Sequence, residues 1–376
     1  MTTVQDQQCG SMTTDQQCGS MTTDQQCGSM TTDQQCGSAP PVRASQPQSS
    51  YGGTPFMPPN SQSWGLYRGT GLPGATQEEW PQAPAWRSFG GGPELPPPPV
   101  EDPCAPAVLG TIRQPLPAPP DELARVNVAL HLRRPLLVTG GPGTGKSSLA
   151  YRISGELGLG PVLRWQITSL STLREGLYDG PHDATYDGPH DATYDGPHEG
   201  RDEGGHDGGI RLGPLGTAFL PYRRPRVLLI DRLDRAEISL PEDLCTVLTA
   251  GGFSLPGGTV RCRAFPVVVI TTTGERDLPS DLVRRCVTLR TQRPGPDLLR
   301  AIAANRFPAE PGRPGPAPDA VDAFVERATA TEGPVLERFL DALRLAADGV
   351  LQAVAEGGNW QEAVDTLWQW TAPEEP

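Results

Sequence analysis

Eight consecutive residues, Gly140-Gly141-Pro142-Gly143-Thr144-Gly145-Lys146-Ser147, spell G-x-x-x-x-G-K-S, a spacing that wraps backbone amides around phosphate groups. Glycines are needed because the loop must turn through φ values that side chains resist, with its amides pointing inward. Lys146 would reach the β- and γ-phosphates of a nucleotide, and the Ser147 hydroxyl would ligate Mg2+. Ser148 follows in the first turn of the next helix, whose N-terminus adds positive partial charge beneath the phosphates. The chain has 30 Arg and a single Lys, and that Lys is Lys146. A chance glycine-rich loop does not account for a lone lysine at the position where a phosphate binder is needed.

A phosphate loop of this kind works with a second, carboxylate-bearing strand that holds the metal. Residues 226–231, Arg-Val-Leu-Leu-Ile-Asp, supply an apolar strand ending in Asp231, 85 residues after Lys146. Asp231 would bind Mg2+ directly or through water. The next residue is Arg232, which cannot act as a base at neutral pH.

These side chains require a frame. The phosphate loop lies between an apolar run at 135–139 and a helix beginning near Lys146, and further apolar runs at 162–168, 227–230, 267–271 and 287–290 read as buried strands. Strands alternating with helical stretches predict a parallel sheet covered on both faces. Asp121, following Pro120, is placed to start a helix. Past 293 the pattern turns helical, with helices expected at 296–306, 319–329, 335–347 and 360–370; in the third, Leu336, Phe339, Leu340, Leu343 and Leu345 form an apolar face. The expected organisation is an α/β nucleotide-binding domain at 121–292 and a helical domain with a C-terminal tail at 293–376.

The remainder reads as unpacked chain. Gly and Pro make up about 23% of the 376 residues and aromatics only 6%, which excludes a compact core running through the whole length. Copies of MTTDQQCGS begin at Met12, Met21 and Met30 behind a variant copy from Met1, so 1–38 is a low-complexity tandem-repeat tail. Its cysteines, Cys9, Cys18, Cys27 and Cys36, come with no His and no Cys-x-x-Cys pair, and suggest neither a metal array nor a disulfide framework. Twenty of the 43 prolines fall in 39–120, which therefore reads as a disordered linker. Trp64, Trp80, Trp86, Phe56 and Phe89 are scattered through it without periodicity.

A second repeat, YDGPHDAT, fills an insertion at 178–209, with His182, His190, His198 and His206 eight residues apart among nine acidic residues and one Arg. Imidazoles and carboxylates suit divalent metals, but a Gly-Pro in every unit breaks regular structure, and a solvated acidic loop is the expectation. The net charge of -13 argues against a nucleic-acid or anionic-membrane binder. With no run of 18 apolar residues and no basic-then-apolar start, the expectation is no membrane insertion and a cytoplasmic location.

On RPLLVTGGPGTGKSSLA, VLRWQITSLSTLREGLYDG, IRLGPLGTAFLPYRRPRVLLIDRLDRAEISLPEDL and VVVITTTGERDLPSDLVRRCV, in that order, the chain resembles the MoxR-type AAA+ ATPases of the P-loop NTPase superfamily, over roughly 120–347. The resemblance implies an α/β P-loop domain with helices on both faces of a parallel sheet, a small helical lid, ATP and Mg2+ as ligands, and a homo-oligomeric ring, usually a hexamer, that remodels a protein client. It also exposes departures. Arg232 stands where the family carries the Glu that polarises the attacking water, and Thr273 stands where a sensor Asn is common. Asp234 and Glu237 are close in sequence. The pair Arg284-Arg285 matches the position of an arginine finger aimed at a neighbouring subunit's nucleotide, while Arg338 is a weak match to a lid sensor. ATP hydrolysis is accordingly expected to be slow. The rival reading is an ATP-gated scaffold that does not hydrolyse and recruits partners through its Pro-rich arm. In a ring, the acidic insertions would gather near the axis and favour basic clients, or point outward; the residues do not choose.

Overall fold

The computed structural model describes residues 65–74, 80–180, 210–256, 258–309, 315–331 and 335–349, with Val364, Asp365 and Trp368. The repeat tail at 1–38, most of the acidic insertion and nearly all of the helix expected at 360–370 lie outside the described residues. In chain order the elements are α1 (Ala105–Leu109), α2 (Pro120–Leu132), β1 (Leu136–Thr139), α3 (Lys146–Leu157), β2 (Leu163–Gln166), α4 (Leu173–Leu177), β3 (Tyr178–Asp179), β4 (Arg211–Leu212), α5 (Pro214–Ala218) and β5 (Val227–Asp231). Then come α6 (Ser239–Ala250), β6 (Gly252–Leu255), β7 (Gly258–Arg261), β8 (Val267–Thr272), α7 (Ser280–Val283), β9 (Val287–Arg290), α8 (Pro296–Arg306), α9 (Pro318–Ala330) and α10 (Val335–Ala347).

All five strands expected from the apolar runs form one parallel sheet, in the order β2-β5-β8-β1-β9. Its inner strands β5, β8 and β1 are almost continuously buried because both faces are covered, whereas the edge strands β2 and β9 alternate buried and exposed residues. In β5, Leu228 and Ile230 enter a core with Leu215 of α5 and Leu244 of α6, whereas Val227 and Leu229 enter the opposite core with Val126 of α2 and Ile153 of α3. A third core belongs to the C-terminal helices, where Leu299, Phe324, Phe339 and Leu343 pack with Trp368. The fold is thus α/β, a parallel sheet with helices on both faces and the glycine loop between β1 and α3, followed by the small helical domain expected as a lid. Among the described residues, no helix is long and apolar enough to cross a membrane.

The linker expectation for 39–120 does not hold in its described part. Tyr67 is 1% exposed. Its amide donates to Asn127 Oδ1 at 3.0 Å, its carbonyl accepts from Asn127 Nδ2 at 2.8 Å, and its hydroxyl donates to Glu122 Oε1 at 2.8 Å. Arg152 ties the same corner, pairing with Glu122 at 2.9 Å and donating to the Gly69 carbonyl at 2.8 Å. Further along, the Arg133 guanidinium lies 4.9 Å from the Trp80 ring, Phe89 packs 5.7 Å from Phe265, Leu95 bridges to Tyr222, and Asp102 Oδ2 accepts from the Val162 amide at 2.8 Å. This arm is a strap laid over the finished domain. Its prolines remove amide donors, and domain side chains such as Asn127 and Arg152 satisfy the groups that remain.

The acidic insertion begins and ends on a two-residue antiparallel pair, Tyr178↔Leu212 and Asp179↔Arg211.

Candidate functional site

The phosphate loop leaves the C-terminal end of β1 and runs into α3, as the sequence predicts. Gly140, Gly143 and Gly145 have φ of 149°, 70° and 80°. At Gly140 a Cβ would stand 2.4 Å from Thr291 Oγ1, so glycine is needed there for space as well as for conformation. The Thr144 and Thr291 hydroxyls are 2.7 Å apart, and Thr291 Oγ1 donates to the Thr139 carbonyl at 3.0 Å. These contacts pin the loop to the chain leaving β9. Gly145 caps α3 without a side-chain hydrogen bond, which leaves the first amides of the helix available to an anion.

Lys146 is 8% exposed and donates through Nζ to the Gly140 and Gly141 carbonyls at 2.8 and 2.6 Å. Burial holds its ammonium below the usual lysine range; Arg232 acts in the same direction, and Asp234 and Asp231 oppose it. Arg232 follows Asp231 directly, and its backbone amide donates to Thr271 Oγ1 at 2.8 Å. It has φ 64°, in the left-handed region, a conformation that non-glycine residues adopt at some energetic cost and that recurs at functional sites.

Asp231 closes β5 at 4% exposure. Its Oδ1 accepts from Ser147 Oγ at 2.7 Å and from Thr271 Oγ1 at 2.8 Å, and its Oδ2 accepts from Arg164 Nη2 at 2.7 Å. Burial alone would raise this carboxyl, but the three hydrogen bonds and the Arg164 charge outweigh it and hold the group below the usual carboxylate range. Serine and aspartate are the donor types Mg2+ prefers, yet here they are closed on one another, and Arg164 holds the remaining carboxylate oxygen. A Mg2+ would therefore be held by the lone pairs of the Ser147 hydroxyl, with Asp231 behind it as that hydroxyl's acceptor.

Thr271 and Arg164 escaped the sequence reading. Both depend on strand order: β5 lies between β8, carrying Thr271, and β2, carrying Arg164. Pairing of Ile230 with Ile270 sets Thr271 beside Asp231, and pairing of Arg164 with Leu229 sends the arginine side chain up the same sheet face. The only local sign was the alternation in Leu-Arg-Trp-Gln of β2, with Arg164 and Gln166 on the exposed side.

Thr273, expected as the sensor, is hydrogen-bonded to Asp234. Its amide and hydroxyl donate to Asp234 Oδ2 at 2.9 and 2.7 Å, and the same oxygen accepts from the Gly274 and Glu275 amides at 3.0 and 3.2 Å. Burial pushes the Asp234 carboxyl up, and these donors pull it below its ordinary range. Asp234→Asn is expected to destabilise the fold by about 1–3 kcal/mol at neutral pH, because backbone donors lose a charged acceptor. A depressed carboxyl contributes stability above its unfolded pKa and loses it as pH falls through the folded value. The difference between parent and variant in urea melts should therefore be constant at neutral pH and shrink below about pH 4. Glu237 is exposed.

Arg284 and Arg285 are not brought to the phosphate loop of their own chain. They precede β9, whose first residue Val287 pairs with Leu136 at the start of β1, whereas the loop follows Thr139 at its end. Both arginines pair with Asp281, through Arg284 Nε at 2.8 Å and Arg285 Nε at 3.2 Å, and Arg285 also donates to Thr249 Oγ1 at 3.0 Å.

Beside the loop lies a cavity of about 550 Å3, within the range of ligand pockets. Gly143, Thr144, Gly145 and Ser148 form one wall, Leu298, Ile302, Leu336 and Leu340 of the lid another, and Ile112, Leu116 and Pro117 of the arm a third. Arg290, Arg293 and Arg306 also line it, whereas Arg338 does not. The arm's share of this wall was hidden in a segment read as linker.

No protein-family profile matches the chain, and no curated protein matches it. Among solved structures it is similar to NtrX from Brucella abortus in complex with ATP, at 16% identity and a TM-score of 0.36 over 61% of this chain and 50% of that one. The ADP complex of NtrX gives 16% identity and a TM-score of 0.34 over 57% and 46%. A protein from Cytophaga hutchinsonii described as an ATPase gives 12% and 0.31 over 57% and 55%. The chain spans about half the length of these structures.

Proposed function

We propose that this chain is an ATP-binding AAA+ protein of the MoxR type, which couples its nucleotide state to the remodelling of a protein client and hydrolyses ATP slowly. The observation that carries the reading is the glycine loop with its lone buried Lys146 and the Ser147–Asp231 contact, beside a cavity of about 550 Å3 lined by both apolar and charged residues. Gly140, Gly141, Pro142, Gly143, Thr144, Gly145, Lys146, Ser147 and Ser148 would cradle the phosphates, with the base among the apolar residues of lid and arm. A homo-oligomeric ring would give Arg284 and Arg285 a purpose beyond their pairing with Asp281, since they stand at the strand end away from their own loop.

The non-hydrolysing reading has one observation in its favour: the residue that follows Asp231 is a cation, Arg232, and not a carboxylate. The described part of the arm is packed on the domain at Tyr67 and Leu95, while its Trp86 stays 78% exposed.

ATP binding and steady-state phosphate release by the full chain, beside Arg232→Glu, separate the two. The expected result is slow release by the parent and a rise of about 100-fold in the variant, the contribution typical of a positioned base. Tight binding with no release from either protein would establish the scaffold instead.

A further inference from the structure

We infer that Asn305 latches the arm over the nucleotide cavity, and that release of this latch sets the rate at which nucleotide enters and leaves. The inference rests on the reading that the cavity beside the glycine loop holds the nucleotide. A pocket of this size buries about 70–90% of its ligand's surface, so a wall has to move before a ligand can pass. Two of the walls are held together by one side chain. Asn305 of α8 is 2% exposed and lines the cavity. Its Oδ1 accepts from the Arg113 and Gln114 amides at 2.7 and 2.9 Å, and its Nδ2 donates to the Gln114 carbonyl at 3.1 Å. The second Nδ2 hydrogen goes to the Ala301 carbonyl of its own helix at 2.9 Å, so the side chain has no hydrogen-bonding capacity to spare. Gln114 stands between Ile112 and Leu116, which line the cavity from the arm.

The arm wall is backed from behind by an earlier part of the same arm. Leu116 donates its amide to the Thr70 carbonyl at 2.9 Å, and Glu156 of α3 accepts from Thr70 Oγ1 and the Gly71 amide at 3.3 and 3.1 Å. At Gly71, with φ 71°, a Cβ would stand 2.9 Å from Ile112 Cδ1, so the two layers leave no space between them. Parting the arm from α3 would expose Tyr67 and Glu156, now 1% and 4% exposed. The seam with α8 is different: Asn305, and Arg306 donating to the Val108 carbonyl at 2.7 Å, hold it by polar contacts that water replaces at little net cost. That seam is the one that opens. With the latch shut in the free protein, only the open fraction accepts nucleotide, and the apparent affinity and association rate fall by that fraction.

The test is stopped-flow binding of mant-ATP and mant-ADP to the full chain in MgCl2, with dissociation followed by a chase of unlabelled nucleotide, for the parent and for Asn305→Ala. In the parent the observed binding rate should level off as nucleotide concentration rises, at one value shared by both nucleotides, because that value is the opening rate of the latch. Asn305→Ala should raise both the plateau and the dissociation rate at least about tenfold, the effect of losing hydrogen bonds of ordinary strength, while affinity changes by less than about threefold. Dissociation that quickens under an unmoved plateau would show that Asn305 only shapes the wall, and would overturn the inference. A parent rate that climbs linearly throughout, or plateaus that differ between the two nucleotides, overturns it as well, and that comparison decides even if the variant fails to fold. Those results leave the nucleotide reading standing; no binding of either nucleotide sinks that reading and the inference with it.

Discussion

Lys146→Ala is expected to weaken ATP binding by about 100-fold or more, because hydrogen bonds from a charged donor to phosphate contribute about 1.5–3 kcal/mol each and Lys146 carries more than one. In the structure its Nζ rests on the Gly140 and Gly141 carbonyls, so the amine is already inside the loop that a phosphate would enter. Fold stability should change little, since a buried ammonium whose charged form is disfavoured by burial and by Arg232 leaves with the side chain. Being the only lysine in the chain, Lys146 also offers a chemical readout: amine-directed acylation should add one side-chain label in the free protein and be suppressed by ATP. Unaltered ATP affinity in Lys146→Ala would remove the basis of the proposed function.

Tyr67→Ala is the second large effect, and it acts on stability. The ring is fully buried among Asn127, Glu122 and Arg152, and truncating a buried aromatic costs about 3–5 kcal/mol. At roughly 2–4 °C per kcal/mol for a domain of this size, thermal melting should shift down by about 10 °C. Tyr67→Phe, which removes only the bond to Glu122, should cost about 1 kcal/mol. A chain that begins at residue 121 loses Trp80, Phe89 and Leu95 as well and should melt lower still. Equal melting of that shortened chain and the parent would show that the strap contributes nothing.

The two parts of the molecule differ in how far their sequences reveal them. Strands such as Val227–Asp231 declare themselves because a sheet covered on both faces leaves no room for polar alternation. Helices Pro296–Arg306 and Val335–Ala347 match their expected bounds because a single apolar face over three turns has an unmistakable period. The glycine loop is local chemistry and needs no tertiary information. Tyr67, Trp80 and Phe89 enter the domain one at a time, at sites prepared by residues far away in sequence, and single insertions have no period. Arg164 and Thr271 are illegible for a related reason. Their meeting at Asp231 follows from β5 lying between β2 and β8, which no strand states by itself. Thr273 was favoured by its place after the strand, but Asp234 claims its hydroxyl and amide.

The lid is clamped at two places. Asn305, 2% exposed on α8, accepts from the Arg113 and Gln114 amides at 2.7 and 2.9 Å and donates to the Gln114 carbonyl at 3.1 Å, while Arg306 donates to the Val108 carbonyl at 2.7 Å. The same stretch of arm is anchored on the sheet side, with Val108 and Leu109 packed against the core that contains α3. A hinge near Gly295 would ordinarily let α8 swing as a free lever about one pivot. Here the lever is bolted through Asn305 to a segment that is itself fixed to the body, so lid rotation must strip the arm from the domain or shear three amide contacts together. Mechanically the arm serves as a tie rod between α8 and the body of the domain.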